Sequence, residues 1–214
     1  MRILVLGYGT GDATIAWTAH GHTVVGVDWK TMASINGNYF KEETWEKIYR
    51  FGPYDWVWFA PDCAQFSLAG SLSWDRNYQP TSDKARTEYE GVKFVIGKIK
   101  ELNPSYGWMM ENPRAMMRKM DFVQDLHRVT VSYCQYGDSR MKPTDLFGVI
   151  PYTFDARFCF NGASCHDSAP RGSKTGTQGL NRVDAGRMPY QLSKEIMEAV
   201  IESKGRTFPT LGEF

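Results

Sequence analysis

The segment "FAPDCAQFS", residues 59–67, sets one thiol, Cys63, beside a carboxylate, Asp62, directly after the apolar run "DWVWFA". A cysteine at the end of a buried strand is either an inert core residue or a nucleophile, and the nucleophile needs a polar setting that supports the thiolate. Asp62, Gln65 and Ser67 favour the nucleophile. A second strand-like run, "YGWMMENP", ends in Glu111 and Asn112. Open α/β sheets bind ligands at the carboxyl ends of their strands, so Cys63 and Glu111 are expected to meet at one site as nucleophile and acid.

Gly7, Gly9 and Gly11 follow the apolar run "RILVL", and Asp28 closes the run "HTVVGVDW". Glycines let backbone pass close to a ligand, and an acid at the end of a second strand is placed for ribose hydroxyls. Asp12 stands where a dinucleotide fingerprint has its third glycine, and its charge repels a pyrophosphate, against a nicotinamide oxidoreductase. A ribose-bearing cofactor without a phosphate suits these residues, and S-adenosylmethionine is the common one. Trp29 is placed to cover its adenine. The alternative is a glycine turn whose acid caps a local group.

Cys159, Cys165 and His166 cluster in sequence, and with Cys134 they make a set of four that suits a closed zinc site. The spacing C-x5-C-H is not a standard knuckle, so a second reading stands beside it: Cys134 and Cys159 in the core and His166 on a phosphate. Arg157, Arg171, Lys174, Arg182 and Arg187 lie in or beside the same glycine-rich stretch, which reads either as a nucleic-acid contact or as a solvated loop.

These residues must be positioned by elements the sequence also announces. Strand, glycine turn, helix ("ATIAWTAHG") and strand follow within the first thirty residues, the opening of a Rossmann-like βαβ unit. "KEETWEKIYRF" and "KARTEYEGVKFVIGKIKEL" read as helices, the second with Val92, Val95, Ile96 and Ile99 on one face. "VTVSYCQYG" reads as a further strand, and "SLSWDRNYQPTSD" as a loop. The expected fold is α/β with a mostly parallel sheet: a core over 1–150, a small irregular lobe over 151–186, and 187–214 returning to the core as a helix. At 214 residues, 42% apolar and 14% aromatic, the chain can bury a core, and its four cysteines are too few for a disulfide scaffold. No apolar run is long enough to cross a membrane and no export signal is read, so a soluble, cytoplasmic protein is expected. The net charge of +1 neither demands nor excludes nucleic acid.

Taken in order, "PDCAQFSLAG", "ENP" and the glycine opening resemble the motifs of the DNA cytosine-5 methyltransferases, whose nucleophile motif reads P-C-Q-x-F-S and whose acid motif reads E-N-V. Cys63, Phe66 and Ser67 match the first, Glu111 and Asn112 the second. "VTVSYCQYGDSRMKPTDLFG" stands in place of Y-G-x-x-Q-x-R-x-R, with Arg140 and Lys142 as its basic pair, "INGNYF" with Asn38 is the nearest counterpart of G-D-I, and "RMPYQL" fills the last motif. The resemblance is closest to compact forms in viral genomes, for which the compartment would be the host cytoplasm.

The resemblance implies a methyltransferase fold and methyl transfer from S-adenosylmethionine to carbon 5 of a flipped cytosine. It implies Cys63, Glu111, Arg140 and Lys142 as catalytic residues and Gly7, Tyr8, Gly9, Gly11, Asp28, Trp29, Asn38 and Pro61 around the cofactor. Ser67, Arg76, Arg86, Asn112, Arg171, Lys174 and Arg182 would meet double-stranded DNA, bound by a monomer. The lobe is short enough to imply a target of roughly two to four base pairs. RNA as substrate, a modified cofactor, or an inactive DNA-binding homologue are the alternatives. Asp62 and Ala64 depart from the nucleophile motif, and a carboxylate beside a thiol opposes its ionisation. A working nucleophile therefore requires Asp62 to be turned away or paired with a base.

Overall fold

The computed structural model describes residues 1–30, 32–167, 180–204 and 206, and the backbone alone of Arg182. Alternating apolar residues make β1 (Arg2–Leu6) two-faced: Leu4 and Leu6 point into one core, Ile3 and Val5 into another. The pattern repeats along β2 (Thr23–Asp28), β4 (Trp56–Phe59) and β5 (Trp108–Pro113), so both faces of the sheet need helices. On one face lie α2 (Glu42–Phe51), through Trp45 and Ile48, and α3 (Asp83–Leu102), through Val92, Val95, Ile96 and Ile99. On the other lie α1 (Ile15–Ala19), through Ala16 and Trp17, and α5 (Tyr190–Ser203), through Leu192, Ile196, Met197 and Val200. The face of α3 expected from the sequence is the buried one. Ser82 caps α3 by accepting the Ala85 N–H at 3.2 Å, and Asn103 ends it in the left-handed region.

The seven strands run in the order β3-β2-β1-β4-β5-β7-β6. Strands β3 (Ile35–Asn36), β2, β1, β4 and β5 are mutually parallel, and β7 (Pro143–Gly148) is inserted antiparallel between β5 and β6 (Arg128–Ser132). The sequence reading contains neither β3, only two residues long, nor β7. Pro143 and Asp145 make β7 read as a turn. The proline is harmless as the first residue of a strand. Fully buried Asp145 is compensated: Arg118 donates to it from Nε at 2.9 Å and Nη2 at 2.6 Å, and the Thr130 hydroxyl at 2.8 Å.

Two further elements are shorter than their sequences suggest. The helix expected after the glycines is one turn of 3-10 helix, Asp12–Thr14, and then α1; "VTVSYCQYG" is strand only to Ser132 and then a 3-10 turn, Tyr133–Tyr136. The segment 151–167 has no helix, and a short α4 (Arg182–Gly186) precedes α5. No helix among the described residues is long and apolar enough to cross a membrane.

Candidate active site

The parallel order reverses direction between β1 and β4, and a crevice is expected outside the carboxyl ends of the strands at such a point. The turn leaving β1 is pulled over β2, with the N–H groups of Gly7 and Tyr8 both donating to the Val27 carbonyl at 3.1 and 3.2 Å. Gly7 has φ +79°, and a Cβ there would lie 2.1 Å from the Ala60 carbonyl oxygen. Only glycine fits between the ends of β1 and β4. Gly9 and Gly11 also have positive φ, and a Cβ at Gly9 would meet the Gly7 carbonyl oxygen at 4.0 Å, an ordinary contact. Asp28 closes β2, 7% exposed, and takes the N–H of Gly9 at 3.0 Å on one oxygen and of Lys30 at 2.7 Å on the other. Each oxygen keeps a lone pair, so this carboxylate both fixes the glycine turn and can still accept from a hydroxyl.

Three expected cofactor residues are built into the protein in ways the sequence did not convey. The Tyr8 ring fills the space over Gly26 and Gly11, where added Cβ atoms would lie 2.4 and 2.8 Å from it. Trp29 packs against Tyr39 and Phe40 with centroids 4.7 and 5.9 Å apart, and the Lys30 ammonium lies 5.0 Å from its ring centre. The side-chain oxygen of Asn38 accepts the Phe40 N–H at 2.9 Å. Pro61 is buried between β4 and Cys63.

Cys63 is exposed at the end of the β4 segment, and the turn that presents it is tightly tied. Its carbonyl accepts the Ser67 N–H at 2.8 Å, and the Ser67 hydroxyl donates to the Ala64 carbonyl at 3.1 Å. Ser67, expected on DNA, thus holds the turn that presents Cys63. Asp62 is paired: Lys30 Nζ lies 3.2 Å from one oxygen, and the Ala64 N–H donates to the other at 3.0 Å. The base that the sequence left unnamed comes from the end of β2. The following loop is anchored by Trp74, which stacks on Phe66 and donates Nε1–H to the Gln65 carbonyl at 2.8 Å. Arg76 and Arg86 are exposed on it and on α3, Arg86 beside Asp83 at 3.3 Å.

Glu111 reaches the same edge from β5, next to β4. The Tyr133 hydroxyl donates to Glu111 Oε1 at 3.3 Å, and Lys142 Nζ lies 4.5 Å from the centre of the Tyr133 ring. Tyr133, 1% exposed, is a site residue the sequence reading missed; its signal was only a tyrosine just past a strand end. Burial chiefly, with the Asp145 charge, pushes the Glu111 carboxyl up, while Lys142 and Tyr133 oppose this. The Cys63 thiol is also pushed up, first by surrounding protein, then by Glu111 and least by Asp62; Lys142 pulls it down. Burial in turn holds Lys142 below the ordinary lysine range. Its φ of +28° is unusual for a residue with a side chain, and such outliers concentrate where a site over-determines the backbone. The thiol therefore feels both the carboxyl and the Lys142 amine, and the amine feels both acids.

Two expected site residues stand elsewhere. Asn112 was assigned to DNA, but it is 0% exposed in the β5–β7 ladder opposite Asp145, and its amide has no partner among the described residues. A strand side chain alternates faces, so its neighbour Glu111 reaches the crevice and Asn112 does not. Arg140 was assigned to catalysis, but its guanidinium is committed. It pairs with Asp138 through Nε and Nη2, and donates to the carbonyls of Asp184 at 2.9 Å, Ala185 at 3.2 Å and Arg187 at 3.2 Å. It clamps the turn after β6 to the end of α4. Arg171 and Lys174 lie outside the described residues, as does the side chain of Arg182.

Among solved structures the chain is similar to the Entamoeba histolytica methyltransferase EhMeth, with 9% identity and a TM-score of 0.50, covering 79% of this chain and 57% of that one. It is also similar to the S. pombe Dnmt2 methyltransferase, with 13% identity and a TM-score of 0.47, covering 76% and 52%. The chain spans just over half the length of each. No family model matches the sequence, and no curated protein matches it. The strand order and the likeness to EhMeth show a Rossmann-like α/β fold with a mostly parallel sheet, the fold of that methyltransferase.

Proposed function

We propose that the protein transfers a methyl group from S-adenosylmethionine to carbon 5 of a cytosine in double-stranded DNA, acting as a monomer. The observation that carries this reading is Cys63 and Glu111 arriving from adjacent strand ends with Lys142 acting on both. Asp28 and the glycines at 7, 9 and 11 would hold the cofactor: a buried carboxylate with acceptor capacity to spare, beside open backbone, fits ribose. S-adenosylmethionine supplies the electrophilic methyl group. Addition of the Cys63 thiolate to carbon 6 would make carbon 5 nucleophilic, and once carbon 5 has gained the methyl group, loss of its proton to water would expel the thiolate from carbon 6 and restore the ring. The raised Glu111 carboxyl, donating to N3, would stabilise the density placed on the ring. The exposed side chains of Leu68 and Leu72, 75% and 93% exposed just past Cys63, suit wedges that hold a duplex open while the base is out of the stack. Incubation with 5-fluorocytosine in duplex DNA of varied sequence, and in RNA, tests the proposal. A covalent adduct at Cys63 on DNA alone is the expected result; adducts on RNA alone, or none, would overturn it.

The coupled site also predicts a pH profile. The active form carries a Cys63 thiolate and a protonated Glu111, one proton shift away from the thiol and carboxylate. Its population is bell-shaped, with the acid limb set by the carboxyl and the alkaline limb by the thiol. Lys142 lowers both groups. Lys142→Met is therefore expected to move both limbs of kcat/KM against pH upward, and limbs that stay in place would refute the coupling.

A further inference from the structure

We propose that Cys134, Cys159, Cys165 and His166 hold a structural zinc ion that fastens the segment 151–167 to the wall of the active site. The four donor atoms come from two parts of the chain, Cys134 from the turn after β6 and the others from the irregular segment, and all lie within 4.8 Å of one another. Zinc bonds of about 2.3 Å to sulfur and about 2.0 Å to nitrogen give tetrahedral edges of roughly 3.8 Å between sulfurs and roughly 3.5 Å between sulfur and nitrogen. The Cys134–Cys165 sulfurs are 3.7 Å apart and those of Cys159 and Cys165 3.2 Å. His166 Nδ1 is 3.8 Å from the Cys159 sulfur and 3.5 Å from that of Cys165. These four edges lie within about 0.6 Å of the tetrahedral values, and the other two are no longer than 4.8 Å.

The spacing, with two adjacent residues as ligands, becomes workable because His166 turns Nδ1, the nitrogen nearer its backbone, toward the sulfurs. Gly162, at φ +90°, and the Ala163 N–H on the Phe160 carbonyl at 3.3 Å reverse the chain between Cys159 and Cys165. An outer shell is present: Gln135 Nε2 donates to the Cys165 sulfur at 3.4 Å, and the Ser132 hydroxyl oxygen accepts the Cys159 N–H at 3.0 Å. Four protein donors leave no open position, which marks a structural site rather than a catalytic one. The segment needs one. It has no helix, and Phe158 and Phe160 stand 48% and 72% exposed, so it has little core of its own. Cys134 adjoins Tyr133, the hydroxyl donor to Glu111, so the ion would tie the segment to the catalytic wall.

Metal analysis of the full-length chain, purified without chelator and dialysed, tests this apart from any activity. One zinc per chain is expected, with exposed Cys63 reactive throughout and the thiols of Cys134, Cys159 and Cys165 reactive only after the metal is removed by chelation in denaturant. Cobalt substitution is expected to give the absorption of a tetrahedral thiolate site. Cys165→Ser, at the exposed ligand, is expected to weaken zinc binding more than about 100-fold, beyond what outer-shell partners cost. His166→Ala serves as a second variant should that one misfold. Zinc well below one per chain after refolding with zinc, a Cys159–Cys165 disulfide in the purified protein, or undiminished binding in both variants would each overturn the proposal.

Discussion

Cys63→Ser is expected to lower methyl transfer by on the order of 10⁴-fold or more while leaving the melting temperature unchanged. The two parts of this expectation rest on different features. The loss follows from chemistry: a serine hydroxyl is far less acidic than a thiol and is a poor nucleophile while protonated, so the addition that a thiolate makes is lost. The unchanged stability follows from geometry. Cys63 is exposed, and what holds its turn is backbone and neighbours: the Ser67 N–H on the residue-63 carbonyl, the Ser67 hydroxyl on Ala64, and Asp62 between Lys30 and the Ala64 N–H. None of these involves the sulfur. Labelled methyl incorporation alongside thermal denaturation measures both quantities. A serine variant that still turns over, or one that melts early, would remove Cys63 from the role of nucleophile.

What could be read from the sequence follows from where each signal is written. Strand-end positions are local: an apolar run followed by polar residues put Cys63, Glu111 and Asp28 at one edge, and the structure brings them there. Partners across the sheet are not local. Lys30 reaches Asp62 from another strand end, and Tyr133 reaches Glu111 from beyond β6, pairings that no spacing records. The antiparallel β7 was hidden because Asp145 looks like a loop residue until Arg118 and Thr130 are seen around it. Asn112 was misplaced by adjacency, since alternation along β5 turns it away from the crevice that its neighbour faces.

Arg140, which the resemblance would make catalytic, is placed to act on stability instead. Arg140→Met is expected to destabilise the protein by about 3 kcal/mol, because it leaves Asp138 ionised and half-buried without its partner and frees three carbonyls at the end of α4. Removing one member of a buried pair costs more than the pair contributes, so Asp138→Asn in the same chain should restore part of the loss. For a chain of this size the melting temperature should fall by about 6–12 °C. Arg140→Lys should fall between, keeping the charge but not the fork that meets Asp138 through two nitrogens while also reaching the carbonyls. The catalytic reading makes the opposite forecast: a large loss of kcat at an unchanged melting temperature. If, well below its melting point, the methionine variant keeps most of its kcat and loses mainly stability, Arg140 is a positioning residue. It then acts by holding α4 against the turn that precedes Lys142, and so by setting where that ammonium stands relative to Cys63 and Glu111.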